Sequence, residues 1–199
     1  MGLYKGTLNT PLTKQPFQEL KSKASGIVTI AAKPIIKLSS AAKELIGKRP
    51  AYNLTVSYQR NGKNVYISDF NKGIVTLGIA YKVTSSEKIG NLYGVYVGKD
   101  GKPQLLTKSS YVSGWLIFSR NILLTYGVGY KNSASTFTDT AKHWAKDSID
   151  FVTSRKMIID TGKTIFSPNT AITRGDFLTA LGNLSGVDVS VYNTSRLKM

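Results

Sequence analysis

The chain has 199 residues, of which 41% are hydrophobic, and it has no cysteine. This length suits one large domain or two small ones, and it is enough to bury a core. The composition excludes a disulfide scaffold and thiolate metal sites, and no apolar run approaches the ~20 residues of a membrane helix. The net charge is +16, and residues 1–130 hold 18 of the 27 basic residues against five acids. This excess favours an anionic polymer as partner: nucleic acid, a charged membrane surface or a cell-wall polyanion.

The first 50 residues mix helical and extended patterns. A short helix is predicted near residues 17–25. Apolar residues at helical spacing predict a second helix over 39–46, with Ser39 or Ser40 at its start and Gly47 where it ends.

From residue 51 to residue 130 the hydrophobic period changes to two. Apolar and polar residues alternate from Leu54 to Tyr58, and Asn61-Gly62 follows as a strong signal for a two-residue hairpin turn. About seven short strands are predicted in this stretch, and they favour an antiparallel sandwich or an open barrel. Residues 1–130 are therefore predicted to form a β-rich domain.

The last third of the chain returns to a helical period. Residues 131–136 are polar and without periodicity, which predicts a linker. A helix is predicted from His143 to Arg155, and a second one from Thr173 to near Gly186. The predicted fold class is therefore α+β, an antiparallel β-rich, sandwich-like domain followed by a small helical module. Four apolar residues are predicted to form the core of that module: Phe137, Ile149, Phe166 and Phe177. Leu181 and Leu184 continue the apolar face of the second helix that begins at Phe177.

Five sequence elements in this last third occur in a characteristic order and spacing. They are Phe137-Thr-Asp139, His143-Trp144-Ala145, Ile149, Phe166-Ser-Pro168-Asn169 and Ile172-Thr173-Arg174-Gly175-Asp176-Phe177. Together they resemble the S-layer homology (SLH) module, over residues 137–193. The preceding part looks like the β-rich segments found before SLH repeats in Gram-positive surface proteins.

The resemblance implies a non-enzymatic wall anchor. SLH modules hold exported proteins non-covalently to anionic secondary cell-wall polymers, commonly pyruvylated ones. The ligand-binding arginine of the family lies in a Thr-Arg-Ala-Glu motif at the start of the second helix, and the matching residues here are Thr173, Arg174, Gly175 and Asp176. Trp144 is expected to be a core residue of the SLH unit, and because the binding grooves of the family lie close to it, it also belongs to the implied ligand-binding set.

The residues at this helix start also favour anion binding by their own chemistry. Thr173 and Asp176 have the spacing of a capping pair, and the free N–H groups of a helix start attract anions. The planar guanidinium of Arg174 can hold a carboxylate with two hydrogen bonds. The alternative is an exposed arginine that pairs with Asp176 or Asp139.

Several further expectations follow from the sequence. No cofactor, metal or catalytic motif is predicted. SLH modules usually occur in threes, so a chain with one copy and no signal peptide is expected to be an extracellular cell-wall fragment, or to self-associate into a three-module unit. Two alternatives remain open. The first is a basic nucleic-acid-binding protein, and the second is a β-rich carbohydrate-binding or adhesion module that the SLH unit merely tethers.

Overall fold

The computed structural model describes residues 2–5, 8–11, 14–24, 26–70, 74–158 and 164–185. The chain divides into two compact units, Met1–Lys131 and Asn132–Met199. None of the helices in the described ranges is both long enough and apolar enough to span a membrane.

Within these ranges there are four α-helices and eleven β-strands. The helices are α1 (Lys14–Lys23), α2 (Ser40–Ile46), α3 (Lys146–Ser154) and α4 (Arg174–Ser185). The strands are β1 (Gly2–Lys5), β2 (Leu8–Pro11), β3 (Val28–Pro34), β4 (Ala51–Arg60), β5 (Lys63–Ile67), β6 (Val75–Ala80), β7 (Leu92–Val97), β8 (Pro103–Leu106), β9 (Ser110–Val112), β10 (Trp115–Arg120) and β11 (Thr125–Tyr130).

All the strands belong to two antiparallel sheets of the first unit. One sheet has the order β1-β2-β6-β10-β9, and the other has the order β3-β4-β11-β7-β8 with β5 paired to β4. The sheets share one core, to which β4 contributes Val56, β6 contributes Leu77 and β10 contributes Leu116. The rings of Phe118 and Tyr126, one from each sheet, have their centroids 5.3 Å apart. This arrangement confirms the predicted α+β class with an N-terminal antiparallel sandwich.

Helix α2 covers the second sheet with a smaller apolar cluster. Ala42 and Ile46 are fully buried there against Val95 and Val97 of β7. The helix passes so close to β11 that a Cβ added at Gly127 would lie 2.9 Å from Cδ1 of Ile46. The glycine in this strand therefore permits the close approach of helix and sheet.

Locally encoded features follow the predictions closely. Ser39 accepts a hydrogen bond from the Ala42 N–H and caps α2, and Gly47 ends the helix with a positive φ of 62°. Asn61 and Gly62 join β4 to β5 with φ values of 50° and 73°. Two successive positive φ values characterise the type I′ hairpin turn that the sequence predicts.

Three expectations were wrong in detail. Residues 51–130 form eight strands, not about seven, because the three-residue strand β9 is too short to produce an alternating pattern. The first helix of the second unit begins at Lys146, not at His143, and leaves Trp144 in a preceding turn with 90% of its surface exposed. The apolar face of α4 is predicted to be buried, but the described part of the chain does not cover it. The side chains of Phe177, Leu181 and Leu184 on this face are 44–52% exposed. The predicted end of that helix near Gly186, and the end of the module at 193, lie outside the described residues.

Candidate functional site

The second unit is held together by contacts between the segment before α3 and the segment before α4. Phe137 is buried, and its ring centroid lies 5.4 Å from that of Phe166. The Thr138 N–H donates to the carbonyl of Thr164 at 2.9 Å. Ile149 of α3 is buried as well, so the predictions for Phe137 and Ile149 as core residues are confirmed.

Asp139 fixes the loop that leads toward α4. Its two carboxylate oxygens accept hydrogen bonds from the backbone N–H groups of Phe166 at 3.0 Å and Ser167 at 2.7 Å. These two bonds, that from Phe166 foremost, lower the pKa of Asp139. The two residues whose N–H groups bind Asp139 lie 27 and 28 residues ahead of it in the chain. No local signal reveals such a contact.

His143 links the turn before α3 to the same loop. The Ala145 N–H donates to Nδ1 of His143 at 3.2 Å, so Nδ1 is an acceptor and the proton of the neutral ring is assigned to Nε2. Nε2 lies 3.3 Å from Oδ1 of Asn169, to which it can donate. The Trp144 ring lies beside His143, with 5.5 Å between the centroids. The sequence motifs include both His143 and Asn169 but do not predict that the two side chains are in contact.

The start of α4 forms a reciprocal capping box. The Asp176 N–H donates to Oγ1 of Thr173 at 3.1 Å, and the Thr173 N–H donates to Oδ2 of Asp176 at 3.1 Å. The Thr173 hydroxyl also donates to Oδ2 of Asp176 at 2.7 Å. These bonds, that from the hydroxyl foremost, lower the pKa of Asp176. The spacing of the two residues had predicted this capping pair.

The capping box leaves the neighbouring donors available. Arg174 is exposed and forms no ion pair with any described residue, so the alternative pairing with Asp176 or Asp139 does not occur. The backbone N–H groups of Arg174 and Gly175 likewise have no acceptor within the described ranges. The first turn of α4 therefore combines a guanidinium, two unbonded N–H groups and the positive end of a helix dipole.

Four of the five predicted site residues thus lie together in one helical turn. The fifth, Trp144, belongs to the turn before α3, which the His143–Asn169 contact ties to the loop preceding α4. Across the described residues, no cluster of three or more histidine, aspartate or glutamate side chains could hold a metal ion.

Comparison with known proteins identifies the second unit. The family model of the S-layer homology domain matches residues 136–178, which include the Asp139 loop, α3 and the first turn of α4. The chain thus carries an S-layer homology domain in its C-terminal part, as the motifs predict. The family is a non-catalytic anchoring domain that binds cell-wall polymers, so the chain is associated with the cell wall or surface. No curated protein and no solved structure matches the chain.

Proposed function

We propose that the SLH domain of this protein anchors it to an anionic secondary cell-wall polymer, and that the first turn of α4 binds the polymer's carboxylates. A pyruvyl ketal would present such a carboxylate. The protein would act as a non-enzymatic anchor or as part of a larger surface protein.

One observation carries this proposal. Arg174 is an exposed cation beside two backbone N–H groups that have no acceptor among the described residues, while the nearest acid in its own turn, Asp176, is engaged by Thr173. A carboxylate at this position would accept two parallel hydrogen bonds from the guanidinium and would gain from the helix dipole. Within the part of the chain that the structure describes, no ion pair of Arg174 has to be broken before a ligand binds.

The capping residues are proposed to orient the site and not to contact the polymer. Thr173 and Asp176 use their polar atoms on each other, which fixes the helix start. Gly175 replaces the alanine usual in the family, and it contributes its backbone N–H. Trp144 has an almost fully exposed ring that is suited to packing against a sugar face.

We further propose that copies of the domain associate. The exposed apolar residues of the second unit include four on α4: Phe177, Leu178, Leu181 and Leu184. An apolar helix face of this kind is costly in water, and burial against further SLH units would remove the cost. In light scattering after size exclusion, we expect a concentration-dependent mass above 21.7 kDa, and Leu181→Asp should return the chain to that mass. A monomeric mass at all concentrations would contradict association.

The anchoring proposal is tested by co-sedimentation with purified Gram-positive sacculi. The full chain should pellet with intact sacculi and remain in the supernatant after acid extraction of the secondary polymer. Arg174→Ala should lose binding by at least tenfold, because a charge-assisted hydrogen-bond pair contributes about 1.5–3 kcal/mol. Arg174→Lys should bind weakly, since an ammonium keeps the charge but loses the planar fork.

The control is Lys142→Ala, which removes one exposed positive charge from the same unit. It should bind as the unaltered chain does. If Lys142→Ala and Arg174→Ala lose binding equally, the attraction is a general charge effect and the proposed site is wrong. If extraction of the polymer does not reduce binding, the wall component is another one.

A further inference from the structure

The first unit contains an open groove that the SLH domain does not explain. Its volume is about 790 Å³, and it lies between the β7–β8 hairpin and two segments of the opposite wall. Those segments are Ser68–Asp69, which follows β5, and 121–124, which leads into β11. All of these elements belong to the same compact unit.

Backbone hydrogen bonds hold the two segments of the opposite wall together. The Phe70 N–H donates to the carbonyl of Asn121 at 2.8 Å, and the Leu123 N–H donates to the carbonyl of Ser68 at 2.8 Å. The Tyr126 hydroxyl donates to the carbonyl of Ile122 at 2.5 Å. This wall is therefore formed before any ligand arrives.

The hairpin wall is fixed as firmly. The Gly98 N–H donates to the carbonyl of Lys102 at 3.0 Å, and the Lys102 N–H donates to Oδ1 of Asp100 at 3.1 Å. From outside the hairpin, the Ser39 hydroxyl donates to the carbonyl of Gly101 at 2.5 Å. A preformed site of this kind loses little conformational entropy on binding.

The floor of the groove lies where the sandwich core reaches the surface. Tyr96 is half-buried, and its ring centroid lies 5.7 Å from that of Tyr126. The Arg120 guanidinium lies 5.9 Å from the centroid of the Tyr96 ring. Gln104 is the antiparallel partner of Tyr96, so the two side chains lie on the same face of the sheet, and Gln104 is exposed. An aromatic ring and a carboxamide thus stand side by side at the base of the groove.

The lining is rich in hydrogen-bonding groups and its own charges are balanced. Arg120, beside the tyrosine ring, is therefore the one excess charge among the groups described for this groove. Two lysines, Lys99 and Lys102, are balanced by two acids, Asp69 and Asp100, and the Lys102–Asp100 pair lies 3.6 Å apart. This balance is unusual for a unit that contains 19 basic residues and only five acidic ones. An anionic polymer would therefore be attracted elsewhere on the unit in preference to this groove.

We propose that this groove binds a neutral oligosaccharide. A sugar chain has many hydroxyl groups, and each of them is both a donor and an acceptor of hydrogen bonds. The groove presents carboxylates, ammonium groups and the carboxamides of Gln104 and Asn121 on one concave surface. The edge of Tyr96 supplies an apolar contact for a sugar ring. An apolar ligand would leave the charged groups of the lining without water, which is costly.

The test is a titration of the ¹⁵N-labelled full chain, followed by two-dimensional NMR. The probes are neutral linear tetrasaccharides of glucose, mannose, galactose and N-acetylglucosamine, with an anionic galacturonate tetrasaccharide alongside. At least one neutral probe should shift the amide signals of Gly98, Lys99 and Asn121 in a saturable way. Its affinity should not change between 0.05 and 0.5 M salt, roughly a threefold change in Debye length.

A variant and its matched control locate the site. Gln104→Ala should weaken the binding of that probe by about fivefold or more, the worth of one hydrogen bond. Asn64→Ala removes an exposed carboxamide from β5, outside the groove, and should leave the affinity unchanged. The proposal is overturned if no neutral probe shifts these signals, if only the galacturonate binds, or if Gln104→Ala with an intact spectrum binds as tightly as the unaltered chain.

Discussion

A buried ion pair in the first unit should make its stability depend on acid in a calculable way. Both the Nε and the Nη2 of Arg49 lie 2.6 Å from Oε1 of Glu87, whose side chain is 6% exposed. The Tyr81 hydroxyl donates to Oε2 at 2.7 Å, and the Thr84 N–H donates to the same oxygen at 3.0 Å. The Arg49 guanidinium also lies over the Tyr130 ring, 5.0 Å from its centroid. This network fixes the loop between β6 and β7.

The network sets the pKa of the carboxyl group. Burial alone would raise the pKa of Glu87, but the donors from Thr84, Tyr81 and Arg49 outweigh it and lower the pKa from 4.5 to about 2. A lowered pKa stabilises the folded state above the ordinary pKa, and this contribution is lost as the pH falls toward 2. Because one pKa unit corresponds to about 1.4 kcal/mol, the full contribution at pH 7 is roughly 3 kcal/mol. At pH 3 a little over 1 kcal/mol of it remains.

We therefore expect Glu87→Gln to lower the free energy of unfolding by about 2–3 kcal/mol at pH 7. The difference from the unaltered chain should shrink by roughly 2 kcal/mol at pH 3, because most of the linked contribution is gone there. The assay is urea unfolding followed by Trp115 fluorescence in a Trp144→Phe background, since these are the two tryptophans and Trp115 lies in β10. All carboxyl groups other than Glu87 are common to both chains, so their titration cancels in the difference.

The control is Glu44→Gln, an exposed acid on α2. It should change the free energy of unfolding by less than about 0.5 kcal/mol at either pH. If the difference caused by Glu87→Gln is the same at pH 7 and pH 3, the carboxylate is not linked to folding as reasoned, and the network contributes only through packing.

Two further predictions concern glycines. Gly175→Ala should stabilise the SLH domain by about 0.5–1 kcal/mol, because alanine favours a helix and the added Cβ would meet only Oγ1 of Thr173 at 3.6 Å. The melting temperature measured by circular dichroism should therefore rise. An unchanged or lower melting temperature would show that this position is not helical. Gly129→Ala should cost about 2–3 kcal/mol in urea unfolding, because its Cβ would overlap Cγ2 of Val95 in the neighbouring strand. A neutral result there would mean that β7 and β11 separate more easily than their register suggests.

Local signals explain which parts of the fold could be predicted from the sequence. The Asn61-Gly62 turn and the Ser39 cap depend on residues within four positions, and both have the expected geometry. The order of strands within the sheets depends on pairing between distant segments, such as the β2–β6 pairing, which joins residue 8 to residue 79. Periodicity assigns a strand to a face but contains no information on its partner.

The same distinction applies to the candidate site. The capping pair of Thr173 and Asp176 follows from a spacing of three residues. The hydrogen bonds of Asp139 to the loop before α4 cannot be predicted from such a spacing, because their donors are backbone N–H groups, which almost any residue would supply. The exposure of Phe177 and Leu181 on α4 could not be predicted for another reason: an apolar period predicts that a face is to be buried, but not whether the same chain covers it.

The two units differ in charge, and this difference separates specific from general attraction to a wall. The first unit has 19 basic and five acidic residues, an excess of 14 positive charges, and the second has eight basic and six acidic residues, an excess of two. The electrostatic attraction exerted by the first unit is spread over many lysines, so it cannot distinguish one polyanion from another. At physiological salt this attraction is screened within about 8 Å. The Arg174 site offers fixed directions for two hydrogen bonds, which depend less on ionic strength. As salt is raised, a growing share of the remaining wall binding should therefore depend on Arg174, and the neutral groove of the first unit should be unaffected.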